Sequence, residues 1–304
     1  MSGIVFDFLG ALILPWLLVG VIAKIKAKWA GRKGAPVLQP IYDAAKQIRK
    51  GRVVSTTSTA LFGIAPIVSL SAVLFAALLV PGPTGFAVVS FAADIILFAY
   101  LLALSRFAAI VAALDTGSSF EGMGASREAF FSTLAEPGLF LVLASLLFVT
   151  HSDSLSHISI AGRGSFPFSY AIMILGVLGL FLMILVEGHR LPVDDPSTHL
   201  ELTMVHEVMV LDNSGPDLAL ITYTSGLKIY LFSAIVAELL IPVGTPLAAH
   251  AALFLLVVAL IAAAIGLLES WSARMRLSHV PQFIFLVNVS GMLLFFVSLL
   301  GGQG

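Results

Sequence analysis

The sequence predicts an all-α integral membrane protein, a bundle of about eight transmembrane helices with an interfacial amphipathic helix and a helical cytoplasmic loop. Three observations carry this. Of 304 residues, 59% are hydrophobic and 11% charged, with a mean hydropathy of +1.05. A soluble domain carries roughly 25% charged residues, and this chain lacks the polar sequence to cover so much apolar surface. The apolar residues fall in eight runs of the length, about 20 residues, that crosses a ~30 Å hydrocarbon layer. The runs are continuous rather than alternating, which selects helices over a barrel. A soluble enzyme, a nucleic-acid-binding protein and a disordered chain are thereby excluded. The chain has no Cys, so it holds no disulfide, iron–sulfur cluster or cysteine-ligated metal.

The first run, 3–22, begins two residues from Met1 and has no basic leader, so a membrane span is expected rather than a signal peptide. The linker 24–59 follows with nine basic residues: Lys24, Lys26, Lys28, Arg32, Lys33, Lys46, Arg49, Lys50 and Arg52. Within it, Ile41, Ala44, Ala45 and Ile48 are spaced i, i+3, i+4, i+7 between charges, an amphipathic helix at about 40–50. Such a helix serves either as a lipid-surface anchor or as a partner-docking element. The second run is 60–80, and Pro81-Gly82-Pro83 makes the turn to the third, 87–114, which holds Asp94 and Arg106. A polar linker, 115–128, leads to the fourth run at 129–149. There Glu136 stands beside Pro137, where a broken helix would expose backbone carbonyls to water. The polar loop 150–168 contains His151, Asp153, His157 and Arg163, and the fifth run, 169–187, ends on Glu187.

The loop 187–217 is the richest segment. Pro192, Pro196 and Pro216 stiffen it, and it concentrates Asp194, Asp195, Glu201, Glu207, Asp212 and Asp217 against Arg190 alone. Asp195 with Pro196, or Thr198-x-x-Glu201, caps a helix expected over about 197–211. Leu200, Met204, Val208 and Leu211 would form its apolar stripe, with His199, Thr203 and His206 on another face. Connecting two spans needs only a handful of residues, so an ordered loop of this size implies a surface that a partner binds. A metal site is not expected: His199 and His206 lack the His-Glu-x-x-His spacing, and capping and hydrogen bonding account for them. No nucleotide-binding glycine motif is present. The sixth run, 218–241, holds Lys228 and Glu238. A turn with Pro242, Gly244 and Pro246 leads to the seventh, 247–268, and the linker 269–279 to the eighth, 280–300.

Basic residues give the orientation. Thirteen lie in the linkers after runs 1, 3, 5 and 7, against Arg163 alone on the other side. Those linkers are expected in the cytoplasm, with both termini outside. Charges inside spans are costly and usually face a bundle interior. Asp94 and Arg106 are twelve residues apart, about 18 Å along a helix, and Lys228 and Glu238 about 15 Å. Neither pair closes within its own helix, so their partners come from other helices. They form either isolated ion pairs or a proton path. The proton path is the expectation, through Asp94, Arg106, Glu128, Glu136, Glu187, Glu201, Glu207, Lys228 and Glu238. The coupling and docking loop is expected to act through Arg190, Pro192, Asp194, Asp195, His199, His206 and Asp212.

Several stretches resemble a known family. Arg32-Lys33-Gly34 and Leu38-Gln39-Pro40 with Asp43 and Lys46, together with Glu187-x-x-Arg190-x-Pro192-x-Asp194, resemble the respiratory complex I subunit 1 family. The run Asp195 to Glu207, with Gly122-Met123-Gly124-Ala125-Ser126-Arg127-Glu128 and Leu134-Ala135-Glu136-Pro137, is similar to its hydrogenase branch, formate hydrogenlyase subunit 4 and the hydrogenase-4 membrane component. The likeness covers nearly the whole chain. It departs from quinone-reducing members in a shorter stretch between Gly34 and Leu38 and in Ser197-Thr198-His199 replacing a carboxylate run, which counts against a quinone site.

The resemblance implies a non-catalytic subunit of an oxidoreductase complex in a bacterial or archaeal cytoplasmic membrane. It would have no redox centre of its own, seat an electron-transfer arm and carry part of an ion path. The implied partners are hydrogenase large and small subunits, an iron–sulfur subunit and antiporter-like membrane subunits, with the nickel–iron centre and iron–sulfur clusters in those partners. Two other readings stand beside it: a quinone-site subunit of a complex I-type dehydrogenase, and a stand-alone ion-coupled transporter.

Overall fold

The computed structural model describes residues 2–159, 169–194, 204–272 and 275–301. Asp195, His199, Glu201, Arg163 and Arg274 lie outside them. Among the described residues the chain is all helix and turn, and eight helices are long and apolar enough to span a membrane. In order they are α1 (Ser2–Trp29), the short α2 (Gln39–Ile48), α3 (Ala60–Leu79), α4 (Asp94–Asp115), α5 (Ser119–Thr150), α6 (Ser169–Glu187), the single turn α7 (His206–Met209), α8 (Pro216–Leu240), α9 (Leu247–Trp271) and α10 (Val280–Gly301). With eight such helices in succession, the start of α1 and the end of α10 fall at the same end of the bundle.

The arrangement follows from what each span must hide. α8 carries Lys228, Glu238, two tyrosines and several hydroxyls, is the least apolar span, and is the most buried. α1, α3, α6 and α9 surround it. α9 is the most apolar span and is largely exposed to the surroundings of the bundle, where lipid is its natural solvent. α5 completes the bundle against α4, α6 and α10.

Three boundaries differ from the sequence reading. α4 starts at Asp94, not at 87, so Asp94 is a first-turn residue of the span rather than a mid-helix one. Ala93 at φ 64° turns the chain and donates its N–H to Asp153 O at 2.8 Å, while the Asp94 carboxylate accepts Leu155 N at 2.9 Å and the Ser154 hydroxyl. The apolar residues before it are therefore a tethered turn. α5 starts ten residues early, at Ser119, which places Arg127 and Glu128 on the helix and reduces the preceding linker to a few residues. It runs unbroken through Pro137, and Asn288 of α10 donates to Leu134 O at 2.8 Å, so no broken helix exposes carbonyls there. The third difference is in the loop. The expected helix over 197–211 starts only at His206 within the described part, and Met204 and Val205 are not helical.

At the basic end, the segment after α1 doubles back along it. A Cβ at Gly20 would collide with the carbonyl of Val37, and one at Gly34 with the side chain of Ala27. Glycine at both positions lets the backbone approach α1 this closely. The expected amphipathic helix is α2, packed against α1 and α8 with Ala44 buried and Tyr42 and Ile48 exposed. Arg52 pairs with Asp217 at 2.5 Å and Lys26 with Glu269 at 2.7 Å, fixing the linker and α1 to α8 and α9.

Candidate functional site

The centre of the site is Glu187, the last residue of α6, fully inside the bundle. Its Oε1 accepts Arg106 Nη1 at 3.0 Å and its Oε2 meets Lys228 Nζ at 3.4 Å. Arg106 also donates through Nη2 to Glu136 Oε1 at 2.7 Å. Four helices, α4, α5, α6 and α8, thus converge on an alternating row Lys228–Glu187–Arg106–Glu136. A buried charge is tolerable when it is paired and hydrogen-bonded, and here each inner charge has a partner on another helix. The far end of the row is open, since the Glu136 side chain is 42% exposed.

The loop closes this row from the basic end. His189 and His206 stack face to face, with ring centroids 4.1 Å apart and planes 7° from parallel. His189 Nδ1 lies 3.8 Å from Glu128 Oε2, and His206 Nε2 lies 3.3 Å from Ser225 Oγ. His206 Nδ1 is buried with no hydrogen-bond partner. Burial, with the nearby Lys228 charge, pushes His206 down to about 3; burial, then His206 and Lys228, hold His189 well below the ordinary histidine range. Both rings are therefore neutral at pH 7, which leaves each with one nitrogen that accepts a hydrogen bond and one that donates.

The position of α7 is set by Asp194, which accepts the backbone N–H groups of Val205 at 3.0 Å and His206 at 2.8 Å. Arg127 Nη1 donates to Met204 O at 2.9 Å. Gly124 is the reason α5 can lie so close: a Cβ there would collide with the side chain of Val208. Between α3, α4, α7 and α8 is a cavity of about 30 Å³ lined by Arg106, Glu128, His189, His206, Asn213 and Lys228. That is room for one or two water molecules.

The structure thus brings together Arg106, Glu128, Glu136, Glu187, Lys228 and His206 of the expected residues. It does not bring Asp94 or Glu238 to them. Glu238 lies at the opposite end, where its Oε1 is 3.3 Å from His250 Nε2 and His250 Nδ1 is 3.1 Å from Pro83 O. Among the described residues, the loop's acidic side chains do not form one docking face. Asp194 and Asp217 are buried, and Arg190 faces Glu269 of α9 at 3.6 Å, while Glu207 and Asp212 remain exposed. Pro192 sits in the buried turn that leads to Asp194. Two buried ionisable residues of this neighbourhood escape the sequence reading. His189 is adjacent to the Glu187 motif, and Glu121 lies seven residues before Glu128, on the same face of α5.

Comparison with known proteins fits this architecture. The sequence model of the NADH dehydrogenase family matches residues 3–300. The chain is 32% identical to hydrogenase-4 component C of Escherichia coli (strain K12) over 236 residues, 77% of this chain and 73% of that protein. It is 29% identical to formate hydrogenlyase subunit 4 of the same strain, over 90% of this chain and 93% of the other. Its 28% identity to a NADH-quinone oxidoreductase subunit of Rickettsia typhi (strain ATCC VR-144 / Wilmington) covers 57% of this chain and 51% of that protein. The fold is shared with a chain of the membrane-bound sulfane sulfur reductase, an archaeal respiratory membrane complex, with a TM-score of 0.81 at 16% identity over 98% of both chains. Likeness to the two hydrogenase-type proteins spans more of the chain than likeness to the NADH-quinone oxidoreductase protein. The chain belongs to the NADH dehydrogenase family, the complex I subunit 1-like membrane proteins.

Proposed function

We propose that this chain is the membrane-anchoring, ion-path subunit of an energy-converting nickel–iron hydrogenase or formate-hydrogenlyase-like complex. The single observation that carries this is the buried row Lys228–Glu187–Arg106–Glu136, beside a loop whose α7 turn is held by Asp194 and lines the same cavity. The basic end faces the cytoplasm by the positive-inside rule, and the termini face out. Hydrogenase large and small subunits and an iron–sulfur subunit would seat on the cytoplasmic loops, and antiporter-like subunits beside the bundle. The nickel–iron centre and the iron–sulfur clusters would belong to those partners.

Within the chain, the residues hold and move a proton. One arriving in the cavity meets Glu128, with His206 Nδ1, a buried nitrogen without a hydrogen-bond partner, on the same lining. His189 lies against His206 and reaches toward Glu128. A proton taken by Glu128 removes a negative charge beside Lys228 and Arg106 and changes the field in which they hold Glu187. Glu136, the exposed end of the row, is the place where a neighbouring membrane subunit would continue the path. A displacement of α7 by a docked partner changes the same field, which couples the loop to the row.

A quinone-site function is disfavoured because the likeness to the NADH-quinone oxidoreductase subunit covers less of the chain than the likeness to the hydrogenase-4 and formate hydrogenlyase subunits. Affinity capture of the tagged chain from mild detergent tests the reading. Nickel–iron and iron–sulfur subunits in the eluate are expected. Recovery of the chain alone would point to a transporter, and activity that titrates with a short-chain quinone would point to a quinone reductase.

A further inference from the structure

Glu121, in the first turn of α5, has no exposed surface and no ion pair among the described residues. Its Oε1 accepts the backbone N–H of Asp212 at 3.0 Å, and its Oε2 is buried with no hydrogen-bond partner. The nearby Thr116 hydroxyl gives its proton to Ala113 O at 2.8 Å. Thr116 is a side-chain donor beside this carboxyl, and while its proton is on Ala113 O the Oε2 atom has none. The residue after Asp212 repeats the situation: Asn213 is buried, its Oδ1 has no partner, and it lines the cavity that reaches His206, Glu128 and Lys228. Glu121 therefore holds the backbone of Asp212, and the next residue, Asn213, presents a buried acceptor without a donor at a cavity with room for water, where a buried polar group is ordinarily satisfied by protein or water.

Glu121 and Glu128 are seven residues apart on α5, about 10.5 Å along one helix face. Gly124 and Ala125 fill the stripe between them and are covered by Val208 and Met209 of α7. Glu121 thus stands at the solvent end and Glu128 at the inner end of one face that α7 roofs. Asp212, whose N–H Glu121 holds, is exposed.

We propose that Glu121 is the proton-loading carboxyl of this site, taking protons at the Asp212 surface and passing them by way of cavity water at Asn213 to Glu128. This rests on the ion-path reading above. In the transfer, the O–H bond at Glu121 Oε2 breaks as an O–H bond forms on water, and the carboxylate is reprotonated from the aqueous side. Glu121 acts in the same path as Glu187 but upstream of it, and the loop residues that grip it set whether it is connected.

The test uses the assembled complex in inverted vesicles, driven by reduced methyl viologen, with electron transfer and acidification measured together. Glu121→Gln keeps the acceptor for Asp212 N and removes the titrating proton. It should cut coupled proton flux by about a hundredfold, the low end of what a placed proton-transfer group contributes, with electron-arm assembly unchanged. Glu121→Asp should restore part of the flux, and infrared difference spectra should lose a buried carboxyl C=O band in Glu121→Gln. Wild-type flux in Glu121→Gln, with flux lost in Glu187→Gln, overturns this proposal and leaves the ion-path reading standing. Wild-type flux in both overturns the ion-path reading as well. If Glu121→Gln does not assemble, Glu121→Asp decides: an unshifted carboxyl band and unchanged flux overturn the proposal.

Discussion

Replacing Glu187 by Gln keeps the side-chain shape and removes the one negative charge that two buried cations share. Arg106 Nη1 lies 3.0 Å and Lys228 Nζ 3.4 Å from its two oxygens. At an effective dielectric constant near 20 each pair has about 5 kcal/mol of gross attraction, an upper bound before desolvation is counted. Removing one member of a buried pair costs about 3–5 kcal/mol, because the other charge is left uncompensated. The two cations are not equally affected. Arg106 retains Glu136 at 2.7 Å, whereas Lys228 has no other anion in its ion pairs among the described residues. The loss in Glu187→Gln is therefore mostly the cost of an orphaned Lys228, and adding Lys228→Met should recover about half of it, roughly 2 kcal/mol. The assay is a double-mutant cycle on denaturant unfolding of the complex in lipid nanodiscs, followed by tryptophan fluorescence. If Glu187→Gln/Lys228→Met is no more stable than Glu187→Gln, the two side chains are not coupled and the alternating row is not what holds α6 to α8.

Other outcomes follow from the same geometry. Asp194→Ala removes the acceptor for two buried N–H groups of the α7 turn and should loosen it by about 1–3 kcal/mol, read as faster protease cleavage near residue 206; unchanged cleavage would mean that the turn is held by packing alone. His189 and His206 are kept neutral in the folded chain, so the unfolded or opened loop binds more protons than the closed one. The stability they contribute is whole above the ordinary histidine value near 6.5 and falls as pH drops below it, so hydrogen exchange in 188–213 should accelerate on acidification, and His206→Gln should flatten that dependence. Gly20→Ala drives a methyl group into Val37 O and should detach the segment before α2, seen as new labelling of a cysteine placed at Val37. For topology, cysteines at Lys50 and Val243, both exposed and at opposite ends, should label from the cytoplasmic and outer sides respectively.

The spans are legible in the sequence because hydropathy reports the solvent a segment needs. The run 60–80 coincides almost residue for residue with α3, and the buried charges need partners from other helices because a 1.5 Å rise forbids closure at ten or twelve residues. What hydropathy cannot report is where a helix outlives its membrane span. Glu121, Arg127 and Glu128 lower the hydropathy of 119–128, yet they continue α5 because they face the loop and the cavity rather than lipid. Extending that helix by ten residues puts Glu121, Gly124, Ala125 and Glu128 on one i, i+3, i+4, i+7 stripe, the signal that would have flagged Glu121. The converse error is Asp94, where an apolar stretch is in fact a tethered turn, a fact carried by Ser154 and Asp153 some sixty residues away. The loop's acidic residues look alike in sequence. Their different roles, Asp194 under the α7 turn and Asp217 on Arg52, depend on which long-range partner reaches each one.

The most direct test of the central claim is the proton-to-electron ratio of the assembled complex carrying Glu187→Gln, measured as vesicle acidification against electron flow in one preparation. If the row Lys228–Glu187–Arg106–Glu136 carries the coupling, electron transfer persists and the ratio falls toward zero. A ratio equal to wild type, with the subunit complement intact, would show that the row is a structural ion-pair network and that the ion path lies elsewhere.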